Sequence, residues 1–355
     1  MSPDRQPDAT LPTRGALSQP TNRFVATARE RNPEFDDAEE PLPHTQFLPD
    51  RSLTAIAWND SPDIGFRASL NPYRGCEHGC IYCYARPTHE YLGFSSGLDF
   101  ETRIMVKERA PELLRAELAS ANWEPQTIAL SGVTDCYQPV ERKLELTRRC
   151  LAVLAEFRNP VGIVTKNRLV IRDLDLLQEL ARYHAAVVFI SLTTLTPELR
   201  RVMEPRTSPP AARLATIRDL AKAGIPVGVM TAPIIPGLND HELPQLLAAA
   251  ADAGARFAGY VTLRLPHQNK ALFEQWLGEH FPARKDKVIA GIRAVRAGEL
   301  NDPKFGARMR GSGRRADQIE QLFEVGCRKA GLNREELRLS TAAFRRPGGV
   351  QMELL

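Results

Sequence analysis

Three cysteines lie close together in one short segment, at Cys76, Cys80 and Cys83. Their spacing, C-x3-C-x2-C, puts three thiolates on a single loop, and three thiolates so placed can ligate three irons of a cubane iron–sulfur cluster. Gly75 and Gly79 let the backbone of this loop wrap closely. No fourth cysteine is nearby, so the motif leaves one iron open to a ligand from outside the protein.

A structural zinc site is the alternative interpretation of the same cysteines. Such a site takes four protein ligands, and His78 or His89 would have to supply the fourth. A zinc loop would not explain the alternating strand and helix patterns that follow the motif. The spacing therefore favours an iron–sulfur cluster.

The other three cysteines are scattered along the chain, at Cys136, Cys150 and Cys327, so a second cluster is not expected. Cys150 shares the apolar face of a predicted helix with Leu154, and Cys327 lies in a predicted terminal helix. We expect both to pack in the core.

From about residue 66 onwards, short apolar runs alternate with amphipathic segments. The apolar runs are rich in Val and Ile and predict buried strands at 127–131, 161–165, 186–192, 227–231 and 257–265. The amphipathic segments predict helices at 144–157, 169–183, 211–223, 242–253 and 271–281. Thr207 or Ser208 is the predicted cap of the third helix, and Gly224 is its predicted end.

Strands that recur every 25 to 35 residues with a helix between them predict βα units around a parallel sheet. One more strand before the first cysteine brings the number to about six, fewer than the eight of a closed barrel. We therefore predict an α/β fold, a partial (β/α)6 barrel. In such folds the chemistry gathers at the carboxyl ends of the strands.

Composition divides the chain into three predicted regions. Residues 1–45 hold seven prolines and a net charge of −3, from five arginines against eight acidic residues, and predict a disordered tail. The catalytic core is predicted at 46–290, and a basic, helical C-terminal extension at 291–355. Within the extension, residues 303–346 hold eleven Lys/Arg against five Asp/Glu, a net of +6 that could contact phosphates or simply face solvent.

The cysteine motif, with an aromatic residue before its third cysteine, resembles that of the radical S-adenosylmethionine superfamily. The longer segment NPYRGCEHGCIYCYARPTHEYLG, at 71–93, resembles the subgroup related to spore photoproduct lyase, often called DNA-repair-photolyase-like. The resemblance, which spans about residues 66–265, implies that Cys76, Cys80 and Cys83 hold a [4Fe–4S] cluster. It implies as well that S-adenosylmethionine chelates the open iron and is reductively cleaved to a 5′-deoxyadenosyl radical, which abstracts hydrogen from a substrate.

The same resemblance implies a set of contacts to S-adenosylmethionine. Tyr82 stands where the superfamily usually places an aromatic against the adenine. Ser131, Lys166 and Ser191 follow successive predicted strands and match positions that hold the amino and carboxylate groups in the photoproduct-lyase branch. An ammonium group on Lys166 can pair with a carboxylate, and the hydroxyls can donate or accept hydrogen bonds.

Two residues are candidates for catalysis. Spore photoproduct lyase returns hydrogen to its product from a cysteine two residues before the serine that matches Ser131, but this chain has Ala129 there. Cys136, on the loop after the second strand, is a candidate thiol from another direction, or else a small apolar loop residue. Tyr84, directly after the cysteine motif, is the second candidate.

These observations leave three functional hypotheses. The first is a radical enzyme, lyase-like, that acts on nucleic acid, and the second is the same chemistry on a small molecule or a protein. The third is an iron–sulfur sensor or electron carrier without catalysis. For either enzyme we expect an electron donor such as flavodoxin or ferredoxin.

The chain has no apolar run of eighteen residues and no secretory signal in its first thirty, so we expect a cytoplasmic protein without a membrane span. Its last residues, 351–355, read QMELL and resemble the short peptide by which bacterial repair proteins bind the DNA sliding clamp. The clamp is therefore a candidate partner through this peptide, with packing of the tail on its own domain as the alternative.

Overall fold

The computed structural model of the protein describes residues 14–25 and 44–347. In this part of the chain the strands form one large and one small sheet. The ten strands are β1 (Gln46–Pro49), β2 (Ile56–Trp58), β3 (Ala68–Leu70), β4 (Tyr73–Arg74), β5 (Arg103–Val106), β6 (Ile128–Leu130), β7 (Val161–Thr165), β8 (Ala186–Ser191), β9 (Val227–Ile234) and β10 (Phe257–Thr262).

Twelve α-helices lie within the same described residues, and most of them connect strands of the large sheet. They are α1 (Asp99–Thr102), α2 (Ala110–Ala119), α3 (Glu141–Leu144), α4 (Leu146–Phe157), α5 (Leu174–Ala181), α6 (Pro197–Met203), α7 (Pro210–Lys222), α8 (Leu243–Asp252), α9 (Asn269–His280), α10 (Lys285–Ala294), α11 (Ala307–Arg310) and α12 (Arg314–Ala330).

The large sheet has the strand order β10-β9-β8-β7-β6-β3-β2. The six strands from β3 to β10 are parallel, and β2 adds an antiparallel strand at one edge. The predicted α/β fold, a partial (β/α)6 barrel, is therefore confirmed. Because the strands are parallel, the residues that follow β6, β7 and β8 all lie at the same edge of the sheet.

The predicted elements agree closely with the structure wherever burial dictates the pattern. The strand predicted at 161–165 is found at these bounds as β7, and its apolar residues alternate between more and less buried positions. The helix predicted at 169–183 is shorter, because its first turn is a 3-10 helix at Arg168–Asp173. At the third helix, Pro210 occupies the first turn and Gly224 follows the end with a φ of 75°, as predicted.

The predicted cap of this helix is wrong. Pro209 holds the N-cap position, and no side chain caps the helix. The Thr207 hydroxyl donates to the Glu204 carbonyl at 2.8 Å, and the Ser208 hydroxyl accepts from the Arg168 backbone N–H at 2.9 Å. Both hydroxyls are therefore engaged with neighbouring segments, and proline, which has a fixed φ, starts the helix.

The helical C-terminal extension packs on the barrel. Its longest helix, α12, lies against α8, and buries Ile319, Phe323 and Cys327 in the main apolar core. A methyl group on Gly326 would come within 2.6 Å of the Leu247 side chain, so the two helices are in close contact. The predicted domain boundary at residue 290 falls inside α10. Cys150 and Cys327 both lie in the core, as predicted.

The small sheet, in the order β1-β5-β4, holds the start of the cysteine loop. Tyr73 and Arg74 of β4 pair antiparallel with β5, and the Cys76 backbone N–H donates to the Phe100 carbonyl at 2.8 Å. This pairing fixes the chain two residues before the first cysteine.

Residues 14–25 form a strap that lies across the cysteine loop. The backbone N–H groups of Gly15 and Ala16 donate to the two carboxylate oxygens of Glu101, at 3.0 and 2.8 Å, and Ala16 is only 3% exposed. Further along, the Asn22 amide donates to the carbonyls of Glu90 and Phe94. The predicted disorder of 1–45 is therefore wrong for residues 14–25, because a buried carboxylate supplies acceptors for their backbone. Residues 1–13 and 26–43 lie outside the described residues.

None of the helices in the described ranges is both long and apolar enough to cross a membrane. The peptide at 351–355, with its predicted contact to a sliding clamp, lies outside the described residues.

The strap generates a first prediction, because Gly15 leaves no space for a side chain. A Cβ at this position would lie 1.6 Å from the Gly79 carbonyl oxygen, which is backbone and cannot rotate away. Gly15→Ala should therefore lift the strap from the cysteine loop and leave Glu101 without its two N–H donors. We expect the free energy of unfolding to fall by roughly 1–3 kcal/mol, which would be measured as a lower melting temperature. Proteolysis near residue 15 should also be faster.

The matched control is Gly65→Ala, since no atom lies within 4 Å of a Cβ at Gly65 and its φ is not positive. This variant should melt like the wild type. Equal melting temperatures and equal proteolysis rates for the two variants would show that the strap does not lie on the loop.

Candidate functional site

The three motif cysteines lie on the loop between β4 and a 3-10 helix at Arg86–Leu92. Two backbone turns shape this loop, with N–H donation from Gly79 to the Cys76 carbonyl at 3.3 Å and from Cys83 to the Cys80 carbonyl at 3.2 Å. Cys76 and Cys80 are each 7% exposed, and Cys83 is partly exposed. The three sulfur-bearing residues therefore share one tight loop with access for a bound group.

The two glycines of the motif are required by the backbone. Gly75 and Gly79 have φ values of +80° and +65°, which side chains rarely adopt. A Cβ at Gly75 would also lie 2.9 Å from the His89 ring, and one at Gly79 would lie 2.6 Å from the Glu101 carboxylate. Close wrapping of the loop, expected from the sequence, is confirmed.

Burial raises the pKa of all three thiols, that of Cys80 to about 12. Without a metal these cysteines hold their protons, so a bound iron has to displace them. Backbone N–H groups of Asp135, and of Ala85 and Arg86, are directed at the sulfurs of Cys76 and Cys83 respectively. Such N–H donors stabilise thiolate sulfur and are one way in which proteins tune iron–sulfur clusters.

Both histidines that could complete a zinc site have other partners. The His89 ring shares a 2.9 Å hydrogen bond with the Arg103 carbonyl, and the His78 ring lies 3.3 Å from the Asp135 carboxylate and 3.3 Å from the Asn167 amide. Across the residues that the structure describes, no three His, Cys, Asp or Glu side chains are close enough to hold a single metal ion. A cubane differs in that each cysteine ligates its own iron, and the three-cysteine loop fits this requirement.

The predicted contacts to S-adenosylmethionine gather beside the loop. The Lys166 ammonium lies 5.8 Å from the centre of the Tyr82 ring. Ser131, Lys166 and Ser191 stand at the ends of β6, β7 and β8, along one edge of the sheet. The structure thus brings Tyr82 and Lys166 together and places the two serines along the same edge.

The two serines differ in their surroundings. Ser131 has a φ of +82°, an unusual conformation for a residue with a side chain, and its hydroxyl accepts from the Cys136 backbone N–H at 2.8 Å. Ser191 is almost fully buried; its hydroxyl lies 3.4 Å from the Ala232 carbonyl, and its own carbonyl accepts from Arg213. Ser131 is therefore the more accessible of the two.

A buried ion pair behind Tyr82 escaped the sequence analysis. Glu204 is fully buried; it accepts from the Tyr82 hydroxyl, pairs with Arg213, and accepts from the Thr193 hydroxyl at 2.7 Å. Burial opposes ionisation of Glu204, but Arg213, Lys166 and the Tyr82 hydroxyl outweigh it and bring the pKa to about 2. Glu204, as an ionised carboxylate balanced by Arg213, therefore holds the Tyr82 hydroxyl in place.

Asp135 forms a second network that the sequence did not reveal. Its carboxylate accepts from the Thr165 hydroxyl and from the Lys166 backbone N–H, both at 2.8 Å. Burial opposes its ionisation, but His78 and these donors lower the pKa of Asp135 to about 2. Asp135 thus links the loop after β6 to the end of β7, where Lys166 is. Neither Asp135 nor Glu204 lies in a motif, so spacing alone could not identify them.

Cys136 is buried beside Ser131, and its side chain hydrogen-bonds to the Ser131 side chain. It is fully buried in the main apolar core, and the Thr147 hydroxyl of α4 donates to its carbonyl at 2.6 Å. Burial raises its pKa well above the ordinary value. Because Cys136 contacts a predicted S-adenosylmethionine residue, its role as a hydrogen donor stays a prediction.

Tyr84 is half exposed beside the third cysteine. Its hydroxyl donates to the Gly132 carbonyl at 2.5 Å, and the Arg264 guanidinium lies 5.5 Å from the centre of its ring. Tyr84 therefore remains a candidate for contact with a substrate.

Comparison with known proteins agrees with this geometry. The family described as the Radical SAM superfamily matches residues 70–250. An uncharacterized protein of Mycobacterium tuberculosis is 42% identical over 235 residues, which is 65% of this chain and 69% of that protein. An uncharacterized protein of Methanocaldococcus jannaschii is 29% identical over 178 residues, or 50% of this chain and 64% of that protein.

Solved structures of spore photoproduct lyase superpose on the chain. One has a TM-score of 0.58 at 17% identity and covers 81% of this chain and 80% of the other. Another, a mutant with bound AdoMet and dinucleoside spore photoproduct, has a TM-score of 0.58 at 18% identity over the same shares. At this level of identity the likeness shows a shared fold.

The buried Glu204–Arg213 pair generates a second prediction. Glu204→Gln removes the counter-charge of a buried guanidinium, which typically costs about 3–5 kcal/mol. Since the folded pKa of Glu204 lies below its ordinary value of 4.5, its contribution is complete above pH of about 5 and is lost as the pH falls towards 2. In urea unfolding, the difference between wild type and variant should therefore be largest near pH 7 and should narrow on acidification.

Glu335→Gln is the control, because Glu335 pairs with Arg256 where both side chains are more than half exposed. Exposed pairs contribute about 1 kcal/mol or less. A Glu204 variant as stable as this control at pH 7 would contradict the role of the buried pair.

Proposed function

The chain belongs to the radical S-adenosylmethionine superfamily, and on that premise we propose that it is an enzyme that uses S-adenosylmethionine to abstract hydrogen from a nucleic-acid substrate. The reaction would be repair-like or lyase-like. The electron would come from a donor such as flavodoxin or ferredoxin in the cytoplasm.

Cys76, Cys80 and Cys83 would hold the [4Fe–4S] cluster. When bound, the cluster with S-adenosylmethionine supplies one-electron cleavage of the sulfonium and a 5′-deoxyadenosyl radical. The residues of the chain position the reactants. Cys76 and Cys80 keep their side of the loop almost free of solvent, which limits quenching of a radical by water.

The residues beside the loop would orient S-adenosylmethionine. The Lys166 ammonium would pair with its carboxylate, and the hydroxyls of Ser131 and Ser191 would bind its amino and carboxylate groups. Tyr82, held by Glu204, would pack against the adenine. The network of Asp135 fixes the Lys166 backbone, so that the ammonium group reaches the site from a rigid strand end.

One observation carries the choice of nucleic acid, namely exposed aromatic rings beside arginines at the mouth of the barrel. Tyr84, next to the third cysteine, is 48% exposed, and Phe305 is 61% exposed with the Arg308 guanidinium 4.4 Å from its ring. Rings of this kind stack on nucleobases, and arginines bind the phosphates between them. The net charge of +6 at 303–346 is consistent with such a partner.

A second candidate keeps the radical chemistry but acts on a small molecule or a protein. Ala129 favours it, because spore photoproduct lyase has a hydrogen-donating cysteine at the matching position. This departure makes reversal of a thymine lesion by the same route a poorer fit.

The test is anaerobic reconstitution with iron and sulfide, followed by dithionite and S-adenosylmethionine. We expect 5′-deoxyadenosine from the wild type and none from Cys80→Ala, which lacks one iron ligand. With oligonucleotides that carry deuterium, the label should appear in 5′-deoxyadenosine. A wild type that binds a cluster but never cleaves S-adenosylmethionine would support a sensor or electron carrier. Cleavage without transfer of deuterium from any oligonucleotide would favour the second candidate.

Lys166→Ala gives a third prediction, for the binding of S-adenosylmethionine. Loss of one charge-assisted hydrogen bond in a partly buried site costs about 1.5–3 kcal/mol, or roughly ten- to a hundredfold in the dissociation constant. The cluster should remain, which the iron content and the visible spectrum measure. Lys329→Ala, at an exposed position of α12, is the control and should bind as the wild type does. A dissociation constant unchanged in Lys166→Ala would contradict the role of this residue.

A further inference from the structure

Arg264 lies at the mouth of the barrel with its charge unpaired. It follows the end of β10 by two residues, and no carboxylate of the described residues forms an ion pair with it. Its one side-chain hydrogen bond runs from Nη1 to the Met309 sulfur at 3.5 Å, a weak acceptor. Its Nε is buried and has no partner within the part of the chain that the structure describes.

The neighbours of Arg264 do not balance its charge. Burial and the positive charge of Arg308 both lower the pKa of Arg264. Among the residues that the structure describes, the nearby carboxylate of Asp63 is already engaged, because it pairs with Arg308 and accepts from the Gly306 backbone N–H at 2.7 Å. Arg296 is also close and adds a further positive charge. It donates only to neutral groups among the described residues, the backbone carbonyls of Thr262, Leu263 and Ala307.

A half-buried cation without a counter-ion is costly for a folded protein, and sites of this kind are often completed by a ligand. The ligand that would complete this one carries negative charge and offers oxygen acceptors to the free Nε and the remaining Nη groups. The planar guanidinium matches two oxygens of a phosphate or a carboxylate at once.

The position of Arg264 relative to the cysteine loop indicates which anionic ligand it would bind. Its guanidinium lies 5.5 Å from the centre of the Tyr84 ring, and Tyr84 directly follows Cys83. The Tyr84 hydroxyl is bound to the Gly132 carbonyl, so the ring is fixed between the loop and the end of β6. An anion on Arg264 would thus lie one aromatic ring away from the last cysteine of the motif.

We propose that Arg264 binds a phosphodiester group of the nucleic-acid substrate and sets the register in which a neighbouring nucleoside reaches Tyr84 and the cofactor. This inference rests on the proposed function and adds to it a specific anchor. Arg308, whose charge is shared with Asp63, contributes to the field around the phosphate.

The test compares Arg264→Gln and Arg264→Lys with the wild type in binding a fluorescent single-stranded oligodeoxynucleotide over a range of KCl concentrations. One lost phosphate contact should reduce the slope of log K against log salt by about one. Arg264→Lys keeps the positive charge but loses the planar guanidinium that can bind two oxygens at once. This variant should therefore keep the salt slope and lose part of the affinity. Arg338→Gln is the control for charge number, since Arg338 is 77% exposed and pairs with Glu336.

A change in the ligand gives an independent measurement. A series of the same oligonucleotides, each with one neutral methylphosphonate linkage, should show one position at which the wild type loses affinity and Arg264→Gln does not. Iron content and melting temperature report whether each variant is folded.

Two failures can be told apart. A wild type with no salt-dependent affinity for any oligonucleotide would overturn the proposed substrate and the anchor together. A wild type that binds, with Arg264→Gln equal to it in affinity, slope and methylphosphonate profile, would overturn the anchor alone. The anchor is supported if the salt slope is smaller in Arg264→Gln but not in Arg338→Gln. The same result requires one methylphosphonate position that weakens binding by the wild type and not by Arg264→Gln.

Discussion

The buried ion pair between Arg86 and Glu101 determines the shape of the cysteine loop. Both side chains are fully buried, and they lie 2.6 Å apart. Arg86 uses its remaining N–H groups on the backbone, and donates to the carbonyls of Gly79, Cys80, Ser96 and Gly97. Glu101 in turn accepts from the N–H groups of the strap at Gly15 and Ala16. Since a buried charge is tolerated only with its partners, the loop, the strap and α1 form one interdependent unit.

Buried charges also surround the place where S-adenosylmethionine would bind. Glu204 and Asp135 are held ionised, with pKa values of about 2. The charge of Lys166 helps to stabilise the ionised Glu204, and Asp135 accepts a hydrogen bond from the Lys166 backbone N–H. The strand end that carries the ammonium group is therefore fixed before a ligand binds. The thiols, whose pKa values are raised by burial, acquire their charge only when iron replaces their protons. The electrostatics of the site therefore suit a loop that would become negatively charged only when an iron–sulfur cluster binds to it.

The sequence predicted the features that repeat or that carry a motif. The parallel strands follow from short apolar runs that alternate with helical patterns, so β7 was placed at its true bounds, and the cysteine loop follows from the spacing of its cysteines. The strap at 14–25 was missed because its composition is polar and its order comes from Glu101, eighty-five residues away from Ala16. Glu204 and Arg213 were missed for a similar reason: a buried charge looks like a surface charge until the fold pairs it. The burial of Cys136 could not be predicted, because a loop residue has no periodicity that indicates which side of the sheet it faces.

The placement of all six cysteines limits how hydrogen can move in the proposed reaction. Cys76, Cys80 and Cys83 form the motif that would hold the proposed cluster, and Cys136, Cys150 and Cys327 lie in the main apolar core. Position 129, on β6, carries only a methyl group. Outside the motif, Cys136 is a cysteine whose side chain contacts a proposed cofactor residue, because it hydrogen-bonds to the Ser131 side chain. Tyr84, directly after the motif, also has an exchangeable hydrogen, and its hydroxyl is held on the Gly132 carbonyl. In the proposed reaction, hydrogen returned to the substrate would therefore come from 5′-deoxyadenosine, from the buried Cys136 thiol or from the Tyr84 hydroxyl. Without such a return, the reaction would consume S-adenosylmethionine.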